Sequence, residues 1–173
     1  MHRSACRERG SGGEALETVV YNAIMSALPP RVVLGTDHAG FTLKEAIKEH
    51  LTQKGIDIID VGTFSEEQVD YPPIMRRACA AALEQSAPGI IFGGSGIGES
   101  IAANKVRGIR AARCCSLDDA KLCRQHNDAN VMSLGGRMVD EEVAKDMVDI
   151  FLTTDFEGGR HKKRVEDLEI PMQ

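Results

Sequence analysis

The sequence has no surplus of positive charge: 21 Lys and Arg face 26 Asp and Glu, for a formal net charge of −5. That balance excludes a general nucleic-acid or anionic-membrane binder, both of which need a basic surface, so any anionic ligand must be held by a local cluster. A long apolar run is also missing. The longest charge-free stretch, Gln85 to Gly98, has 14 residues and is broken by a proline and several glycines, short of the roughly 20 apolar residues of a spanning helix. The cysteines lack a framework too: Cys6, Cys79, Cys114, Cys115 and Cys123 are odd in number and contain no C-x-x-C spacing. A reduced, cytoplasmic chain with buried, inert thiols is the expectation. No ligand spacing calls for a metal, and there is no internal repeat or low-complexity tract.

What is present suffices for one core. Apolar residues make up 42% of 173 positions, enough to fold without metal or disulfide staples. Residues 1–30 stand apart: Arg3, Arg7 and Arg9 precede a Gly-Ser-Gly-Gly run, and a short apolar segment ends at Pro29-Pro30. They read as a flexible N-terminal extension to a domain over 31–173. Glu8, Glu14 and Glu17 weaken a targeting role, and Met25 offers an alternative start.

From Arg31 onward, short apolar runs alternate with helical patterns. Strands are expected at Val32–Thr36, Asp57–Val61, Gly89–Phe92, Ile109–Cys114 and Asn130–Leu134, rich in Val, Ile and Leu as strands covered on both faces are. Phe41, Leu43, Ile47 and Leu51, and later Val143, Met147, Val148 and Phe151, recur at helical spacing. A last helix should carry Arg160 to Leu168. The fold class is therefore α/β: a three-layer α/β/α sandwich around a Rossmann-like, five-stranded parallel sheet. The order of the last two strands is open.

Ligands of such sheets bind outside the carboxyl ends of the strands. Asp37-His38-Ala39-Gly40 follows the first strand, Gly93-Gly94-Ser95-Gly96-Ile97-Gly98-Glu99 the third, and Gly135-Gly136-Arg137 the fifth. The helix after strand four ends in His126-Asn127-Asp128 and is expected to fold back toward this same edge. Four glycines in the six positions 93–98 expose backbone N–H groups at a helix start, a cradle for negative charge. The loop is neither a dinucleotide fingerprint nor a P-loop, and close strand–helix packing alone could also explain its glycines. Glu99 is either an inert first-turn acid favoured by the helix dipole or, if buried in a cleft, a general base with a raised pKa. Asp37 is a turn residue or a catalytic one. His38 and His126 belong to the site edge or to ordinary surface. Arg160 and Arg164, at i and i+4, form a phosphate clamp or a solvated basic face; Arg137 is a third cation in reach of such a clamp.

These pieces, together with Asp70-Tyr71-Pro72, Ile101-Ala102-Ala103-Asn104-Lys105 and Arg124-Gln125-His126-Asn127-Asp128, resemble in order and register the type B ribose-5-phosphate isomerase family. That family also contains galactose-6-phosphate isomerase subunits. The likeness spans about residues 31–169. Many members of the family carry a cysteine base directly after the third strand, where this chain has Gly93; the sequence resembles the branch that uses a glutamate. The resemblance implies a metal- and cofactor-free aldose–ketose isomerase passing through a cis-enediolate, with Glu99 as the base. It assigns Ser95 and the N–H groups of Gly94, Gly96 and Gly98 to the enediolate, Asp37 or His126 to ring opening, and His38, Arg137, Arg160 and Arg164 to the phosphate. Tyr71 and Asn127 would line the sugar. It further implies a homodimer, or a tetramer, whose sites are shared between subunits. A six-carbon sugar phosphate (allose or galactose 6-phosphate) is the alternative substrate, and a non-catalytic sugar-phosphate sensor the alternative of another class.

Overall fold

The computed structural model describes residues 28–170. Five strands, β1 (Arg31–Thr36), β2 (Asp57–Asp60), β3 (Gly89–Gly93), β4 (Ala111–Arg113) and β5 (Val131–Gly135), form one sheet in the order β2-β1-β3-β5-β4. Every pairing is parallel. Six helices among the described residues surround it: α1 (Phe41–Gln53), α2 (Tyr71–Glu84), α3 (Ile97–Ala103), α4 (Leu117–Asn127), α5 (Glu141–Thr153) and α6 (Arg160–Leu168). The order left open by the sequence is thus settled, with β5 inserted between β3 and β4. The fourth strand is shorter than expected; Ile109 and Cys114 are buried but lie just outside it.

Alternation along the central strands builds two cores. Val32, Leu34, Ile90, Phe92, Met132 and Leu134 point to one face, where Leu43, Ile47 and Leu51 of α1, Cys123 of α4, and Met147, Val148 and Phe151 of α5 cover them. Val33, Ile91 and Val131 point to the other, against Ile74, Met75, Ala78, Cys79 and Ala82 of α2 and Ala103 of α3. Because both faces are covered, the strands lack a polar side and read as continuous apolar runs. Each fully buried Ile or Leu contributes about 1.5–3 kcal/mol by leaving water, so Ile47→Ala would cost roughly 2–5 kcal/mol.

Local chemistry sets the helix ends. Pro72 and Pro73 occupy the first turn of α2, where the missing N–H is no loss. Ser116 caps α4 by accepting from the Asp119 N–H, and Asp128, left-handed at φ 45°, ends it. Gly35 permits the tight seat of α2 on β1, since a Cβ there would lie 2.8 Å from that of Ala78. Among the described cysteines, Cys79, Cys114 and Cys123 are buried and Cys115 is exposed; burial pushes the Cys79 thiol up to about 11. The extension expected over residues 1–30 lies outside the described residues up to position 27. No helix among the described residues is long and apolar enough to cross a membrane.

Candidate active site

The chain turns from β1 to β2 on one side and to β3 on the other, which opens a crevice at the carboxyl ends of β1 and β3. Asp37 leaves β1 there, 7% exposed. Its Oδ1 accepts from the N–H groups of Ala39 (2.9 Å) and Gly40 (3.1 Å), capping the short 3-10 turn His38–Gly40. The Nδ1 atom of His38 accepts from the Val69 N–H at 3.4 Å.

Opposite, β3 runs into the glycine loop. Gly96 turns the chain with φ 75°, and α3 begins at Ile97, bringing Glu99 back over the end of the strand. Its carboxylate lies directly above Gly93: a Cβ on that residue would fall 1.9 Å from Oε1 and 2.1 Å from Cδ. The absent side chain is therefore the space the glutamate fills. Glu99 is 4% exposed, and its Oε2 is the one buried side-chain polar atom among the described residues without a hydrogen-bond partner. Burial raises its pKa above the ordinary carboxylate value; the N–H groups of Glu99 and Gly96 pull it down, and the charge of Asp37 adds to the rise. Position alone allowed an inert helix-start acid. The geometry instead gives a desolvated carboxyl with a free oxygen and a raised pKa, the environment a general base requires.

The other loop residues gather round it. Ser95 Oγ accepts from the Ile97 N–H at 3.3 Å. The Tyr71 ring lies against Gly98, where a Cβ would come within 2.8 Å of both Cζ and Oη. Arg137 follows β5; its N–H donates to the Gly94 carbonyl at 3.2 Å, and its guanidinium reaches past Gly94. Two supporting residues went unrecognised in the sequence. Arg113 Nε donates to the Ser95 carbonyl at 2.7 Å, and the buried Ser133 hydroxyl donates to that of Gly96 at 2.8 Å. Arg113 was findable, as a charged residue at the carboxyl end of an apolar strand; Ser133, in mid-strand, carried no such signal.

His126 does not join this edge, contrary to the sequence expectation. A helix returning from a parallel strand runs antiparallel to it, so α4 ends at the amino edge of the sheet. There Arg110, just before β4, donates to the carbonyls of Asn127 and Asp128. His126 stacks on His161 of α6 with centroids 4.3 Å apart, and Glu157 N–H donates to the Gln125 carbonyl. Arg160 and Arg164 start α6 at this same end, exposed and without an ion-pair partner among the described residues, whereas Lys162 and Lys163 pair with Glu166 and Asp167. One chain thus carries two polar clusters at opposite ends of its strands: Asp37, His38, Tyr71, the glycine loop, Glu99 and Arg137 at one, and His126, Asn127, Arg160 and Arg164 at the other. Strands of about five residues separate them by roughly 15 Å.

Comparison with known proteins bears on this arrangement. Residues 32–168 match the family model described as Ribose/Galactose Isomerase. The chain is 47% identical to ribose-5-phosphate isomerase B of Escherichia coli (strain K12) over 137 residues, 79% of this chain and 92% of that protein. A crystal structure of a ribose 5-phosphate isomerase from Thermotoga maritima superposes with a TM-score of 0.79 at 46% identity, covering 80% of this chain and 97% of that one. The ribose-5-phosphate isomerase B of Mycoplasma genitalium, solved with bound ribulose-5-phosphate, gives 0.77 at 37% identity, covering 80% and 93%. With nearly the whole described chain inside the match, this protein belongs to the ribose/galactose isomerase family.

Proposed function

We propose that the protein interconverts D-ribose 5-phosphate and D-ribulose 5-phosphate, in residues 31–173, by a proton shift between C2 and C1. The observation that carries this is the buried Glu99 carboxyl with an unpartnered oxygen, seated in the space above Gly93. Relatives named ribose-5-phosphate isomerase B, one with ribulose-5-phosphate bound, support the substrate.

The reaction begins with the furanose ring opened. Asp37 already commits one oxygen to two backbone N–H groups, while His126 presents a half-buried imidazole at a helix end, so His126 takes the ring-opening role. Glu99 then removes the C2 proton of the open-chain aldose. The charge that develops on O1 needs preorganised donors; Ser95 and the N–H groups of Gly94 and Gly98 face it, while the Gly96 N–H serves the base itself. Within the cis-enediolate the O2 proton passes to O1, the protonated Glu99 returns its proton to C1, and C2=O of the ketose results. His38, Arg137, Arg160 and Arg164 hold the phosphate, whose remote binding energy aligns the reacting carbons; Tyr71 and Asn127 line the sugar.

Because the two clusters stand at opposite sheet edges of one chain, the working unit is a homodimer: a second copy brings His126, Asn127, Arg160 and Arg164 to the first copy's Glu99. Glu99→Gln tests the assignment. It should lower kcat by about two to four orders of magnitude with the fold intact, measured as ketose formation from ribose 5-phosphate; near-normal turnover would remove Glu99 from the role. Comparing kcat/KM for ribose, allose and galactose phosphates decides the chain length of the sugar.

A further inference from the structure

We propose that Lys44 is a positioning residue for the sugar site, its buried ammonium fastening the segment 61–70 so that the Tyr71 ring is held against Gly98. The proposal rests on the isomerase reading above and names a residue outside the groups that reading places on substrate.

Lys44 sits in mid-α1 with its side chain fully buried, the only lysine among the described residues in that state. Burying an ammonium carries a desolvation penalty that pairing does not always repay, and an apolar residue of similar size at such a place is often neutral or stabilising. Stability alone therefore gives no reason for a lysine here. Its contacts do. Nζ donates to Asp60 Oδ2 at 2.8 Å and to the Thr63 carbonyl at 2.9 Å, lies 2.8 Å from Glu45 Oε1, and stands 5.3 and 5.2 Å from the ring centres of Phe41 and Phe64. One ammonium thus joins α1, the end of β2 and the segment that follows.

That segment leads directly to the site. Asp60, which also accepts from Lys48 at 2.8 Å, takes the Gly62 N–H on its other oxygen at 3.0 Å. Gly62 and Thr63 then exchange backbone hydrogen bonds with Thr36, each 2.7 Å, one residue before Asp37. At the far end Val69 donates to His38, and Tyr71 opens α2 with its ring one residue from Glu99. Residues 61–70 have no helix or strand of their own, so tethers fix their course: those at the two ends, and Thr42 donating to Glu66 at 3.1 Å between them. Apart from backbone pairing, the start is held by Lys44 and Lys48 on Asp60, by Lys44 on the Thr63 carbonyl and by Arg77 on the Val61 carbonyl at 3.5 Å; of these, Lys44 alone is fully buried and grips both Asp60 and Thr63.

Kinetics and a spectroscopic readout test this. The protein has two tyrosines and no tryptophan, so in a Tyr21→Phe background the fluorescence reports Tyr71 alone. Lys44→Met strands the Asp60 charge against Lys48 only; Lys44→Met with Asp60→Asn removes both charges and keeps the acceptor for Gly62, which guards against simple unfolding. In the paired variant, acrylamide quenching of Tyr71 should rise and kcat/KM should fall about a hundredfold, the scale of an ångström-sized misplacement, while the melting temperature holds or increases. In a Tyr71→Ala background the same change should cost far less. Unaltered quenching, or an undiminished kinetic loss without Tyr71, would overturn the proposal. Raised quenching in a protein whose native form does not isomerise ribose 5-phosphate would uphold the tether and sink the isomerase reading instead.

Discussion

Gly93→Ala removes the proposed base from its position without touching it. The new methyl group would lie 1.9 Å from Glu99 Oε1, 2.1 Å from Cδ and 2.7 Å from Cγ, where real Cβ contacts essentially never fall below 3.0 Å. The carboxylate must therefore retreat by about 1 Å or more, on the scale at which misplacement costs roughly a hundredfold in rate. The overpacking should also cost about 1–3 kcal/mol of stability, visible as a modest drop in melting temperature with the cooperative transition retained. The assay is ketose formation from ribose 5-phosphate at saturating substrate. Since both changes act through one carboxylate, Gly93→Ala added to Glu99→Gln should lower kcat little further. A Gly93→Ala enzyme within a factor of about three of native turnover, or losses that multiply fully in the double variant, would refute the placement of the base over Gly93.

Other perturbations address the remaining groups. Glu99 has a raised pKa in the fold, so its contribution to stability is fully present below its ordinary value of 4.5 and is lost as pH rises through the higher folded value; Glu99→Gln should abolish that decline in a pH series of melting curves. The same pKa sets the acid limb of kcat/KM, which should lie above the ordinary carboxylate range in the native enzyme. Arg164→Ala should raise KM for ribose 5-phosphate by about 10- to 100-fold, the range for one charge-assisted contact, with a smaller effect on a non-phosphorylated analogue; equal losses on both would argue against a phosphate contact. Mixing the inactive Glu99→Gln and His126→Asn chains before refolding should recover about a quarter of native activity, because half the dimers then hold one site with both groups intact. No recovery would mean that His126 acts within its own chain.

The layered fold was legible because its cause is local. Val32, Leu34, Ile90 and Phe92 have no polar alternation to show, and Leu43, Ile47 and Leu51 recur at helical spacing, so strand, helix and crossover were all written in short windows. The span of α6 was equally plain, since Gly158-Gly159 breaks the chain before it. Strand edges were less so: β4 has only three residues, although hydrogen bonds to β5 and the residue before it run past both ends, from the Arg110 N–H to the Asn130 side chain and from the Cys114 N–H to the Ser133 carbonyl.

By itself, then, the sequence determined which residue types carry the chemistry and which strand ends they follow, since periodicity and glycine spacing act over a few residues. Tertiary structure alone decided their surroundings. That Glu99 is buried depends on its seat over Gly93, six positions away, and that its pKa rises further depends on the charge of Asp37, 62 positions away. That Lys44 is sealed under Phe41 and Phe64 depends on where the segment after β2 returns. The separation of His126 from Glu99 follows from the direction in which a helix must run back along a parallel sheet, a property of the packed layers that no short window of residues encodes.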